Sequence, residues 1–167
     1  MIRKKIAILV PAFLCAALFF SLPALCFAQA MNGTYTVKTS GGDYASIQAA
    51  AVDLSAFGVS GPVVIEVYGN PITYSGLVTI NAIAGSSAVN TVTFREFAGE
   101  DVTVSNSSGN NIFYLNDPDY VTIDGFTIQN CTQDGIRITN TSKSVTIKNC
   151  TISNAGTSGN YSAIYAD

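Results

Sequence analysis

The chain has 167 residues, 8 of them basic and 11 acidic, with no histidine and 48% hydrophobic side chains. A net acidic chain lacks the clustered Lys and Arg on which phosphate binding depends, which argues against nucleic acid or an anionic membrane surface as a partner. The absence of histidine leaves His-based catalysis and most zinc sites few options.

Residues 1–30 read as an export signal. Arg3, Lys4 and Lys5 give a positive start, residues 6–22 are almost wholly apolar, and Ala28 and Ala30 are small enough for cleavage after either. An uncleaved membrane anchor needs about 20 apolar residues, and Pro11 and Pro23 interrupt this run. Lipidation at Cys26 is disfavoured by the bulk of Leu25 before it. The expectation is a secreted or cell-surface protein with no membrane insertion after cleavage. Export leaves Cys131 and Cys150 in an oxidising compartment, where a disulfide can form. Their positions in the repeat described below differ, so two buried free thiols are expected.

The mature chain fits one domain. Residues 31–62 form an N-terminal cap in this reading. A strand at residues 34–37 is broken by Gly41-Gly42, and Asp43 then serves as N-cap of a helix that runs to about Phe57 and ends at Gly58. Tyr44, Ile47, Ala51 and Leu54 fall on one apolar stripe of that helix. Residues 63–167 are the repeating part. Residues 63–67 supply its first strand, irregular turns through Pro71 lead to Val78-Thr79-Ile80, and a Gly/Ser/Asn loop precedes Val92-Thr93-Phe94.

Beyond that point the sequence repeats itself. Val121-Thr122-Ile123 returns as Val145-Thr146-Ile147, and Phe126-Thr127-Ile128 returns at the same interval as Cys150-Thr151-Ile152. Stepping back by that interval reaches Val102-Thr103-Val104 and then Val78-Thr79-Ile80. A fixed period of about 24 residues marks a repeat architecture. Apolar-Thr-apolar alternation makes each phrase a short strand with one buried face. Asp124-Gly125 would suit a hairpin, but images of one strand stacked a repeat apart run parallel, about 4.8 Å from each other. The prediction is therefore an all-β, right-handed parallel β-helix of four to five coils, capped by the N-terminal helix. Val78, Val102, Phe126 and Cys150 should form one inner column, with Ile80, Val104, Ile128 and Ile152 forming another. Asn106, Asn130 and Asn154 keep step and should stack as an amide ladder at a corner, with Asn130 buried in it. The six Asn-X-Ser/Thr sequons are put down to composition. A third strand per coil appears at Phe113-Tyr114-Leu115, Ile136-Arg137-Ile138 and Ile164-Tyr165-Ala166.

The phrase VTIDGFTIQN with its echo, behind the GDYASIQAA helix, resembles the pectin-lyase-like right-handed β-helix superfamily across nearly all of the mature chain. Residues 58–96 resemble, more narrowly, the N-terminal β-helix region of large secreted bacterial surface proteins. That resemblance implies a fragment that continues into further coils. This fold hosts lyases, hydrolases, esterases, adhesins and inert spacers, so it does not fix a function. The Asn-Thr-Asp, Asp-Asp and Gly-His-Gly motifs of polygalacturonase-like enzymes are absent from the sequence. Pectate-lyase-like enzymes need clustered carboxylates for calcium and an outward Arg as base. Arg137 is the residue that analogy would nominate, with no acidic cluster beside it in sequence.

Two constellations remain as candidate sites. Glu100, Asp124 and Lys148 are spaced by the repeat interval. The two acids could hold a calcium ion, which takes six to eight oxygens. The simpler reading pairs Lys148 with Asp124 on a solvated corner. Tyr114, Arg137 and Tyr165 should point outward from the third strand and stack. Two aromatic faces with a guanidinium make a platform for a sugar ring; the simpler reading is a cation–π ladder that blunts a sheet face. Asp117, Asp119 and Asp134 lie in turns and are expected to be solvated, with a weak calcium role as the alternative for Asp117 and Asp119 around Pro118. The sequence thus points to a secreted scaffold that contacts polysaccharide or cell-surface glycan. No catalytic residue and no cofactor beyond calcium is called. The alternative is a polysaccharide lyase or hydrolase whose catalytic part lies elsewhere.

Overall fold

The computed structural model describes residues 29–69 and 73–167, so all but the last two residues of the expected 1–30 export signal, and the turn around Pro71, lie outside the described residues. The described residues open with strand β1 (Met31–Val37) and helix α1 (Ile47–Phe57), then wind through four coils of three strands each. Coil 1 holds β2 (Val59–Val67), β3 (Thr73–Ser75) and β4 (Val78–Asn81), and coil 2 holds β5 (Val92–Glu96), β6 (Thr103–Ser105) and β7 (Phe113–Asn116). Coil 3 holds β8 (Val121–Asp124), β9 (Thr127–Gln129) and β10 (Ile136–Thr139). Coil 4 holds β11 (Thr146–Lys148), β12 (Thr151–Ser153) and β13 (Ile164–Ala166).

Like strands stack in parallel into three sheets. The first is β1-β2-β5-β8-β11, the second β3-β6-β9-β12 and the third β4-β7-β10-β13. This is a right-handed parallel β-helix. Alternation in most of the strands turns one set of side chains into a single core, with Phe94, Phe113, Phe126, Ile123 and Ile128 fully buried. Phe113 and Phe126 meet inside it, ring centroids 5.7 Å apart.

The register corrects the first member of both inner columns. Val104 pairs with Ile128 and with Tyr74, and Ile128 pairs with Ile152. Val78 and Ile80 instead pair with Phe113 and Leu115 in the third sheet. Val102, Phe126 and Cys150 do follow one another, because Thr103, Thr127 and Thr151 are successive partners one position on. The error comes from assuming a constant step. In the second sheet the step from Thr103 to Thr127 equals the repeat, but the step from Thr73 to Thr103 exceeds it. In the first sheet the step between the partners Arg95 and Asp124 is also longer than the repeat. The turns of coils 1 and 2 are longer, and a turn outside the core can lengthen without moving the column.

The cap is a helix that occupies the place of a third-sheet strand. Its buried residues, Ile47, Ala50, Ala51 and Leu54, lie against β4, β1 and β2. The N-cap is Ser46, not Asp43; its hydroxyl accepts from the Ala49 N–H at 3.1 Å. Asp43 binds β1 instead, its carboxylate accepting from the Thr36 N–H at 2.7 Å and from the Thr36 hydroxyl at 2.8 Å. Gly58 closes the helix at φ 66°, donating its N–H to Leu54 O. Gln48 completes the cap, its side-chain oxygen accepting the N–H of Thr79 at 2.6 Å on the edge of β4. An edge that would otherwise template another strand is thereby blunted. No helix among the described residues is long and apolar enough to cross a membrane.

Candidate functional site

The third sheet assembles the outward row expected from the sequence. In β7 the burial alternates, with Phe113 and Leu115 inward and Tyr114 half-exposed. Tyr114 pairs with Arg137 on β10, and Arg137 pairs with Tyr165 on β13. The Arg137 guanidinium carbon lies 4.7 Å from the centroid of the Tyr165 ring. Thr139 Oγ1 donates to the Tyr114 hydroxyl at 3.4 Å.

Asp134 positions that row, and here the sequence misleads. An acid in an Asp-Gly turn reads as solvated, yet Asp134 is fully buried. Asn111 Oδ1 accepts its N–H at 3.0 Å, and its own Oδ1 accepts the Ser162 N–H at 2.7 Å. The remaining oxygen faces Arg137 Nη1 at 3.3 Å, while Asp167 approaches Nη2 at 3.7 Å. A buried carboxylate must be paired and hydrogen-bonded, and Asp134 satisfies this by tying the guanidinium to the long turn at residues 154–163. Arg137 is thus engaged by two carboxylates at its edge and by Tyr165 on its face. Two depressions flank it, one of about 500 Å³ bounded by Tyr114, Thr139, Asn140 and Asp167, the other of about 520 Å³ bounded by Tyr114, Leu77, Asn111 and Tyr161.

The acids considered for calcium do not share a register column. Asp124 is flanked in register by Arg95 and Lys148. Glu100 stands on the longer turn of coil 2 and accepts the Gly69 N–H at 3.1 Å. The column that exists is Glu66, Arg95, Asp124 and Lys148, with alternating sign. Glu66 and Arg95 are ion-paired, and Lys148 Nζ sits 3.3 Å from Asp124. Each exposed pair contributes about 0–1 kcal/mol; the alternation also spares every neighbour a like charge. Longer steps through coils 1 and 2, followed by the regular one, reach this column from the sequence. Among the described residues no group of three or more His, Cys, Asp or Glu side chains is placed to hold a metal ion.

The asparagine corner is only partly a ladder. Asn154 Nδ2 donates to Asn130 Oδ1 at 3.3 Å, but Asn106 turns inward and donates to Asn111 O at 2.8 Å. Asn130 is exposed, not buried. Both Asn130 and Asn154 have positive φ, a backbone state that asparagine tolerates. A second ladder, whose Asn116-to-Asn140 step equals the repeat while its Asn81-to-Asn116 step is longer, runs along the end of the third sheet. Asn116 Nδ2 donates to Asn81 Oδ1 at 2.9 Å, and Asn140 Nδ2 to Asn116 Oδ1 at 2.7 Å. Of the turn acids, Asp117 accepts from Thr141 Oγ1 at 2.6 Å and Asp119 from the Lys143 N–H at 2.7 Å.

Cys131 and Cys150 are free thiols, the first buried and the second half-buried. Burial pushes both thiols above their ordinary range. The thiolate is the nucleophilic form, so neither is activated for attack at neutral pH. No family model, curated protein or solved structure matches this chain.

Proposed function

We propose that this β-helix is an exported scaffold that contacts polysaccharide along its third sheet, with Tyr114, Arg137 and Tyr165 as the contact row. The observation that carries this reading is the register, which sets an aromatic, a guanidinium and a second aromatic side by side on one sheet face. A sugar ring presents apolar C–H faces and a rim of hydroxyls. Tyr114 and Tyr165 offer matching ring surface. Arg137, already oriented by Asp134, offers fixed donors, and Thr139 and Asn140 line the same depression. The two carboxylates around one guanidinium leave the row without net positive charge, which favours neutral saccharide over uronate. The resemblance to the pectin-lyase-like superfamily supports a glycan as ligand. The basic-then-apolar leader of residues 1–30 supports export to the cell surface or medium.

The test is affinity electrophoresis against a panel of neutral and acidic polysaccharides, run beside an assay for unsaturated and reducing-end products. Retention by a neutral polymer is expected. Tyr114→Ala or Arg137→Ala should weaken it by about 3–10-fold, the effect of one aromatic contact worth roughly 0.5–1.5 kcal/mol. Clear turnover of any polymer would replace this reading with that of a lyase or hydrolase, and retention indifferent to both substitutions would remove the row from it.

A further inference from the structure

A hollow lies on the corner between the first and second sheets. In coils 3 and 4 the chain rounds that corner in two residues, Gly125-Phe126 and Asn149-Cys150, whereas coil 2 uses residues 97–102. The extra residues overhang coil 3 and leave a hollow of about 450 Å³, lined by Phe97, Ala98, Glu96, Arg95, Gly125 and Asn149. That volume lies within the roughly 300–1,000 Å³ of small-molecule sites. The floor is open because Gly125 has no side chain; a Cβ there would stand 2.6 Å from Glu96 Cγ.

The wall and the charge of the hollow define what it takes. Tyr68 stacks on one side of Phe97 with centroids 4.1 Å apart and planes 17° from parallel, and Lys38 Nζ lies over the Tyr68 ring at 4.0 Å. Phe97 nonetheless remains 36% exposed where it borders the hollow. Arg95 is paired with Glu66, and Asp124 with Lys148 and with Asn149 Nδ2 at 2.8 Å. Glu96 differs from these. Among the described residues its carboxylate accepts only the Val102 N–H, at 3.4 Å, and no cation stands within ion-pair distance of it. The hollow therefore combines an aromatic face with one uncompensated negative charge.

We infer that this corner binds a protonated amino sugar, its ring face against Phe97 and its ammonium against Glu96, with Asn149 and Arg95 meeting the hydroxyls. A ring-sized space beside a flat wall suits a pyranose better than the thin aliphatic chain of a lysine, which would leave the aromatic face uncovered. The site is on a different face from the Tyr114 row and stands or falls separately from it.

The experiment is calorimetric titration of the purified protein with a four-unit glucosamine oligomer, its fully N-acetylated counterpart and tri-lysine. The glucosamine oligomer should bind about tenfold more tightly than the acetylated one, and its affinity should fall as salt rises from about 50 to about 500 mM. Glu96→Gln and Phe97→Ala should each reduce that affinity at least about fivefold, with circular dichroism unchanged because neither side chain is in the core. Val89→Ala, in the exposed loop before β5 and outside both sites, should leave it as it is. An acetylated oligomer or tri-lysine that binds as well, no binding of the glucosamine oligomer, or affinity indifferent to Glu96 would each overturn the inference.

Discussion

Coils 1 and 2 differ from coils 3 and 4 in a way that separates regularity from burial. The early coils keep no constant length, since the steps from Val78 to Phe113 and from Thr73 to Thr103 differ from each other and both exceed the repeat. Their inward side chains, Ile65, Val78, Ile80, Phe94 and Leu115 among them, are nevertheless buried. The later coils keep a single step in the first and second sheets, yet Ile147 and Ile152 of coil 4 are only half-buried and Ile164 is 45% exposed. In a solenoid each coil is stabilised by its neighbours. Coil 1 has α1 and β1 above it, while among the described residues no strand is stacked beyond β11, β12 and β13. A residue's energetic weight is set by the coils on either side of it, not by how well it matches the repeat.

The strongest test of that statement uses one column and one substitution. Ile128 and Ile152 are register partners on β9 and β12, the first fully buried and the second half-buried. Ile128→Ala should cost about 2–5 kcal/mol, the transfer of the lost methyls plus the cavity they leave. Ile152→Ala should cost on the order of 1 kcal/mol, since little apolar surface is removed from water there. Urea denaturation of the two variants measures both. Equal losses would mean that the repeat, and not the neighbouring coil, sets the value of a position.

The next test moves to the corner that distinguishes the two halves. Gly125 and Asn149 occupy equivalent places after the partners Asp124 and Lys148, at φ 90° and 55°. A side chain at Gly125 would be strained by that φ and would run into Glu96. Gly125→Ala is therefore expected to cost about 1–3 kcal/mol. Asn149→Gly should be close to neutral, within about 0.5 kcal/mol, because it loses one exposed hydrogen bond but relieves the backbone. A thermal melt of each reports the difference, and a harmless Gly125→Ala would show that the corner is looser than its geometry implies.

The same contrast explains what can be seen in the sequence. The fold is legible because Phe126-Thr127-Ile128 and Cys150-Thr151-Ile152 share a period and an alternation, and both follow from stacking one strand on its image. The outward row of Tyr114, Arg137 and Tyr165 is legible from alternation alone, since its two steps differ from each other and from the repeat. A constant step puts Val78 in the wrong column and Glu100 at the wrong corner, because the insertions at residues 82–91 and 97–101 carry no periodic signal. The burial of Asp134 depends on Asn111 and on the Ser162 backbone, which turns bring in from 23 residues before it and 28 after. The hollow under Phe97 exists only as a difference between two turn lengths, so no residue type announces it.

The smallest expected effect concerns alkaline pH, and it divides along the same line. Near the capped end, burial raises the phenols of Tyr44 and Tyr74 above their ordinary range, with a hydrogen bond to Asp53 adding to it for Tyr44 and the charge of Glu100 adding for Tyr74. In coils 3 and 4 burial raises the thiols of Cys131 and Cys150. In each case the folded state favours the protonated form, so the unfolded chain releases its proton first as pH rises. The stability these groups contribute is complete below their unfolded values, about 8.5 for thiols and about 10 for phenols, and is lost above them. Stability should thus begin to fall near about pH 8.5 through the thiols and fall further above about pH 10 through the phenols. Replacing both cysteines by alanine should abolish the first decline and leave the second. If the double variant kept the early decline, a group other than the two thiols would be responsible for it.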